Sequence, residues 1–236
     1  MNNFVWADLS TYDTLSSIAF YKNVFGWQFY DSGGYHVAMN GTEEVAGIYE
    51  TPDFFKKIKM PHFWMSYIGV EDAQRTAEIA SQFDAAKVEL MDDFYGGRIA
   101  LIRDPLGAGF AVYDGGQLHV RDGSTGLCWN ELHVSDATKV LSFYQQLFGW
   151  NFTFNKTAAT YQCFDSNNNH VTDIVEVPNQ VKGKQEYWVC TFAVEDVVQA
   201  TSRIERNGGG VLNDEGYRIM LYDNSGEAFF YVMKTG

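Results

Sequence analysis

Residues 4–10 alternate with a period of two that sets Trp6, Asp8 and Ser10 on one face, which predicts a strand. Asp13 follows at a helix N-cap position, Leu15, Ile18 and Ala19 recur at helical spacing, and Gly26 stands where a C-cap glycine belongs. Extended segments are predicted over 27–31, 35–40 and 44–50, parted by the turn signals Gly33-Gly34 and Asn40-Gly41. The same grammar then returns. A strand over 63–70 leads to Asp72 as N-cap, a helix over roughly 73–83, and strands near 87–91, 97–103 and 109–113. The turn Asp104-Pro105-Leu106-Gly107 joins the last two strands. The unit is β-α-β-β-β. Three strands after each helix exclude a Rossmann sheet and a TIM barrel, where helices and strands alternate one for one.

The pattern is duplicated. Trp6 to Phe29 aligns without a gap on Trp129 to Phe152 at an offset of 123, with nine of 24 positions identical. The identities include Phe20-Tyr21 with Phe143-Tyr144, and Phe25-Gly26-Trp27 with Phe148-Gly149-Trp150. Trp64…Glu71-Asp72 likewise matches Trp188…Glu195-Asp196. Four units therefore fall into two halves, expected at 1–115 and 124–236, with a polar, Gly-rich joint around 114–126. The fold class is α+β.

Composition narrows the partners. The 236 residues carry 17 Lys plus Arg against 30 Asp plus Glu, a formal charge of −13. So acidic a chain repels nucleic-acid backbones and anionic lipid surfaces, so neither is an expected partner. Residues 1–8 show neither the basic nor the apolar region of a secretory signal, and Cys128, Cys163 and Cys190 form no C-x-x-C pair. A cytoplasmic protein with reduced thiols is expected. A small-molecule ligand is the expected partner, and a homodimer is left open. Aromatic residues make up 16% of the chain, and those rings need an address.

The strand–Asp–helix–Phe-Tyr-x-x-(Val/Leu)-Phe-Gly-Trp pattern, with Asp104–Gly107 and the looser Asp223-Asn224-Ser225-Gly226 further on, resembles the glyoxalase/bleomycin resistance/extradiol dioxygenase superfamily. That superfamily is also called vicinal oxygen chelate, and the resemblance covers nearly the whole chain. It implies four βαβββ modules paired into two cup-shaped domains around small-molecule cavities, as in tandem bacterial glyoxalase-like proteins. Fold alone does not select a reaction, because isomerases, dioxygenases, thiol transferases and drug-binding proteins share it. Family enzymes hold a divalent metal with His, Gln or Glu on the first strand of each paired module and a Glu on the last strand. By counting from the motifs, those places fall on Trp6, Gly47 or Ile48, Met65 and Ala111 in the first half. In the second half they fall on Trp129, Asp173 or Ile174, Val189 and Phe230. Only Asp173 is a ligating type, so no metal cofactor is expected.

Period two also turns Asp8 in the first half, and Glu131 and His133 in the second, to the same side as Trp6 and Trp129. Asp8, Glu131 and His133 are the candidate catalytic residues. A carboxylate beside an indole serves either as a general base or cation anchor, or as a hydrogen-bond acceptor for the fold. Glu131 with His133 is an acid/base pair or the start of an off-pattern metal site. Trp6, Trp129, Met65, Tyr67, Tyr113, Thr191 and Phe230 are the candidate ligand-lining residues. His36 and His62 read as rim positions, His119 as linker. The expectation is a metal-free cup that binds or sequesters a small, partly aromatic or cationic molecule. The alternative is a metal-dependent lyase, isomerase or extradiol-type dioxygenase working near Glu131 and His133.

Overall fold

The computed structural model describes residues 2–118 and 126–234; His119 and most of the expected joint lie outside the described residues. The first module runs β1 (Phe4–Thr11), α1 (Thr14–Phe25), β2 (Gln28–Ser32), β3 (Tyr35–Asn40) and β4 (Glu43–Glu50). Asp13 caps α1 by accepting the Ser16 N–H at 3.0 Å. Gly26 ends it in the left-handed conformation, φ 77°, with its N–H returned to the Lys22 carbonyl. A short helix, α2 (Asp53–Lys57), leads to the second module: β5 (Phe63–Gly69), α3 (Ala73–Ala80), β6 (Lys87–Phe94), β7 (Gly97–Arg103) and β8 (Gly109–Tyr113). Helix α3 stops earlier than the expected 83. The N–H groups of Gln82 and Phe83 turn to the carbonyls three residues back, and this tightens the end of the helix.

The third module holds β9 (Gly126–Val134), a turn of 3₁₀ helix (Ala137–Lys139), α4 (Leu141–Phe148), β10 (Asn151–Asn155), β11 (Thr160–Phe164) and β12 (His170–Glu176). After α5 (Asn179–Lys182), the fourth holds β13 (Tyr187–Val194), α6 (Val197–Arg206), β14 (Gly210–Asp214), β15 (Arg218–Tyr222) and β16 (Phe229–Lys234). The two short helices α2 and α5 were not expected. They begin directly after Pro52 and Pro178, a residue whose fixed φ suits a helix start.

Each half carries one eight-stranded sheet, ordered β2-β3-β4-β1-β5-β8-β7-β6 and β10-β11-β12-β9-β13-β16-β15-β14. The pairs β1·β4, β5·β8, β9·β12 and β13·β16 are parallel, and the hairpin pairs are antiparallel. The expected α+β fold of four βαβββ modules is thus present.

Packing divides the chain differently. One compact unit joins residues 6–65 of the first module to the fourth module from 190 onward, together with 126–129; the other joins 2–5 and 66–118 to 130–189. In the former, Leu9, Phe20, Tyr21 and Trp27 share a core with Phe192, Ile204 and Phe230. In the latter, Ile68 and Phe110 share one with Phe143, Tyr144 and Trp150. The repeated rings are the substance of these cores: Trp27, Trp150, Tyr21, Tyr144 and Phe143 are among the largest fully buried side chains.

Each core has the same polar thread. Trp64 Nε1 donates to the Tyr21 hydroxyl at 3.0 Å, and that hydroxyl donates to Asp223 Oδ2 at 3.1 Å. In the other unit Trp188 Nε1 donates to the Tyr144 hydroxyl at 3.1 Å, which donates to Asp104 Oδ2 at 3.0 Å. Asp104 Oδ1 in turn accepts the N–H groups of Leu106, Gly107 and Ala108. The motif tyrosine of one half is thereby bonded to the turn aspartate of the other. Burial pushes the Asp104 carboxyl up to about 6 against the pull of these hydrogen bonds, and burial with the nearby carboxylate holds the Tyr144 phenol well above its ordinary value.

Tyr144→Phe leaves a buried indole N–H and a buried carboxylate oxygen each short of a partner, so a loss of about 2–4 kcal/mol in urea unfolding is expected. The Asp104 carboxyl is raised on folding, so its contribution to stability is present below pH 4 and is lost as pH rises through 6. The stability of the wild type relative to Asp104→Asn should fall by roughly 3 kcal/mol between pH 4 and pH 7. An unchanged difference across that window contradicts the buried, ionising role of Asp104.

Candidate functional site

On β1, the alternation holds as expected: Leu9 turns to the helix-side core, whereas Trp6 and Asp8 meet on the other face. Trp6 Nε1 donates to Asp8 Oδ1 at 2.7 Å and to the Tyr35 hydroxyl at 2.8 Å. The Tyr35 hydroxyl donates to the same carboxylate oxygen at 2.5 Å. Asp8 stands in parallel register with Gly47 of β4. A Cβ at position 47 would overlap the Tyr35 hydroxyl and Asp8 Oδ1, so glycine is what leaves room for this pair. Ser10 shares a hydrogen bond with Thr51 at 2.9 Å. Burial, then the Asp8 charge, hold the Tyr35 phenol well above its ordinary value and push Tyr49 up to about 12. Asp8 is therefore a buried carboxylate ringed by Trp6, Tyr35 and Tyr49.

The corresponding place in the second half is chemically different. His133 Nε2 donates to Glu131 Oε1 at 2.6 Å, with both side chains almost wholly buried. The Tyr187 ring lies 5.3 Å from the His133 ring, and its phenol is pushed up to about 12 by burial, then by the charges of Glu131 and Glu186. Asp173 stands in register with Glu131, where the first half has glycine, and it accepts from His170 Nε2 at 2.9 Å. Trp129 is half-buried on the same strand. Two carboxylate–histidine pairs thus sit on neighbouring strands. A buried Glu–His contact can hold a cation or pass a proton.

The remaining expected lining residues divide by face. On β5, Met65 and Tyr67 are buried and alternate with Trp64 and Ile68 of the helix-side cores, and Tyr67 stands in register with Ala111. Tyr113 is buried and donates its hydroxyl to the Tyr95 carbonyl at 2.5 Å. Thr191 alternates on β13 with the core residues Cys190 and Phe192. Phe230 requires a correction: it belongs to the helix-side core, against Phe192 and Tyr21, and lines no ligand face. The cause is one extra residue. The first turn closes from Asp104 N–H to the Ala108 carbonyl, the second from Asp223 N–H to the Ala228 carbonyl. Counting forward from the second turn therefore slips by one, and one residue along a strand reverses the face. Tyr231 is the residue that stands beside Thr191 in register. Comparing the lengths of the two turns would have found it. His62 bonds Thr11, the last residue of β1, through Nδ1 at 2.9 Å.

The donor set does not fit the metal that the resemblance implies. The first-strand places hold the indoles of Trp6 and Trp129, and the last-strand places hold Ala111 and Tyr231, whose hydroxyl donates to Glu215. Among the described residues, no three His, Cys, Asp or Glu side chains gather in a way that could hold an ion.

The chain belongs to the glyoxalase/bleomycin resistance protein/dioxygenase superfamily, whose sequence profile matches residues 3–112 and 124–226. It is 28% identical to a provisionally named glyoxylase, CFP32, of Mycobacterium tuberculosis, over 97% of this chain and 93% of that protein. It is 27% identical to the anthracycline biosynthesis protein DauV of Streptomyces sp. strain C5, over 96% of this chain and 91% of that one. Among solved structures, the Mn(II)-bound glyoxalase of Novosphingobium aromaticivorans matches with a TM-score of 0.62 at 13% identity, covering 99% of this chain and 82% of that one. Homoprotocatechuate 2,3-dioxygenase of Brevibacterium fuscum matches with 0.65 at 15% identity, covering 98% and 80%. Both show the shared fold.

Gly47→Ala should cost about 1–3 kcal/mol, because the new methyl displaces the Tyr35–Asp8 hydrogen bond. Paired with Tyr35→Ala, the same change should cost far less than the sum of the two single changes, measured by denaturant unfolding. Simple additivity contradicts the close approach at Gly47.

Proposed function

We propose that this protein binds a small, partly aromatic or cationic molecule through its sheets without a resident metal ion, in the manner of a sequestering or carrier member of its superfamily. The observation that carries this reading is the donor set: indoles, a methyl group and a bonded phenol occupy the first- and last-strand places where the family's enzymes keep their ligands, and Asp173 is the single ligating side chain at the others. Aromatic walls supply affinity, and the buried carboxylates Asp8 and Glu131 supply orientation and a counter-charge. The likeness to an anthracycline biosynthesis protein supports a polycyclic aromatic ligand. Among the described residues no helix is long and apolar enough to cross a membrane. The formal charge of −13 disfavours anionic lipid and nucleic acid, which supports a small molecule as the partner.

A second reading follows from one contact. The 2.6 Å bond between His133 and Glu131, buried beside Tyr187, suits proton transfer next to a carbonyl, the step shared by glyoxalase-type lyases and isomerases. In that reading Glu131 is the base and His133 the group that orients it.

Metal analysis of protein grown with manganese, iron, nickel and zinc separates these readings from the metal-dependent one. No stoichiometric metal is expected; one ion per chain that disappears in Glu131→Gln overturns the proposal. A thermal-shift screen of aromatic amines, an anthracycline among them, should raise the unfolding midpoint by roughly 5 °C at about 100 times Kd. Asp8→Asn or Glu131→Gln should reduce that shift. A flat response from the whole panel counts against a ligand site.

A further inference from the structure

Among the described residues, three buried side-chain polar atoms have no hydrogen-bond partner: Thr191 Oγ1, Arg203 Nε and Asn224 Oδ1. Arg203 and Asn224 are half-buried, and the Asn224 amide nitrogen donates to Ser16 Oγ at 2.7 Å. Thr191 differs, being 0% exposed in the middle of β13. A valine of the same shape would fill the position without an unbonded hydroxyl, so threonine here costs stability and gains nothing from the fold.

The placement of that hydroxyl gives it a use. Its neighbours Cys190 and Phe192 belong to the helix-side core, so Thr191 faces the other way, in parallel register with Tyr231. The Tyr231 ring is held at two points. Its hydroxyl donates to Glu215 Oε1 at 2.8 Å, and the Arg218 guanidinium lies 4.1 Å from the ring centroid. Arg218 Nε donates to the same Glu215 carboxylate at 2.7 Å, so ring, cation and carboxylate form one braced wall. A fixed aromatic wall beside an unbonded hydroxyl is the pairing that recognises a flat ring carrying an oxygen.

We propose that Thr191 is the oxygen-recognising residue of a ligand subsite on the fourth module, its hydroxyl donating to a carbonyl or hydroxyl oxygen of a ligand whose ring packs against Tyr231. This rests on the small-molecule reading above and adds the ligand feature that the site selects. The hydroxyl is shut off from water, so no water competes with a ligand oxygen for it. Discrimination then follows from chemistry: a ligand lacking the oxygen leaves the hydroxyl buried and unbonded, whereas one that has it supplies the missing partner.

The test compares 1-naphthol with naphthalene, titrated by tryptophan fluorescence against the wild type, Thr191→Val and Thr191→Ser. The wild type and Thr191→Ser should favour 1-naphthol by about tenfold. Thr191→Val should lose that preference, bind naphthalene as before, and unfold about 2 °C higher because an unbonded polar group is gone. A naphthol preference that survives Thr191→Val overturns the assignment, as does a Thr191→Val protein that unfolds earlier than the wild type. Absence of any preference in the wild type overturns it too. If the aromatic amine panel still stabilises the protein, only the Thr191 assignment falls. If the panel also fails, the small-molecule reading falls with it.

Discussion

A tyrosine hydroxyl buried between an indole N–H and a carboxylate holds each packing unit of this protein together. Tyr21 receives from Trp64 and gives to Asp223; Tyr144 receives from Trp188 and gives to Asp104. Each thread starts on the first strand of a module, passes through a helix, and ends in the turn before a last strand. Because the thread is buried, loss of any one member leaves a neighbouring polar atom short of a partner in an apolar surround, where an unmet polar group is expensive. The thread also explains a motif. The tyrosine of Phe-Tyr fills space, and it is also the acceptor and donor that ties one half's helix to the other half's turn.

On the opposite face of the strands, the duplicated halves have diverged at one pair of positions. Asp8 faces glycine at 47 and is closed by Trp6 and Tyr35; Glu131 faces Asp173 and is bonded to His133. The first arrangement satisfies a carboxylate with neutral donors. The second sets two separate carboxylate–histidine contacts, Glu131 with His133 and Asp173 with His170, on neighbouring strands. Duplication thus supplied one scaffold with two chemically distinct faces. The selectivity proposed for Thr191 belongs to a third place, where a buried hydroxyl has no hydrogen-bond partner.

Much of this was legible in the order of residues. The caps at Asp13, Asp72 and Gly26, the turns, and the β-α-β-β-β grammar follow from local chemistry, because a cap or a turn is decided by the few residues that form it. Alternation on β1 and β9 was enough to bring Trp6 together with Asp8, and Glu131 with His133. It failed at Phe230, since alternation predicts a face only when the count from the preceding turn is right, and the second turn holds one residue more than the first. Tyr35 and Tyr231 carry no such signal for a related reason: each reaches its place through cross-strand register, which no local spacing encodes.

The sequence by itself determined the repeat, the α+β class, the family, and the substitution of rings for ligating side chains, because these are properties of residue identity and spacing. Only the tertiary structure decided that the first module packs with the fourth and the second with the third, since that choice is made by buried aromatic surface far apart in the chain. It alone showed that Gly47 makes room for Tyr35, and that Thr191 is buried without a partner. Both depend on what approaches a residue from another strand. Aromatic residues make up 16% of the chain, and the repeated Phe-Tyr and Phe-Gly-Trp rings build the two cores, while Trp6 and Tyr35 stand against Asp8 on the other face.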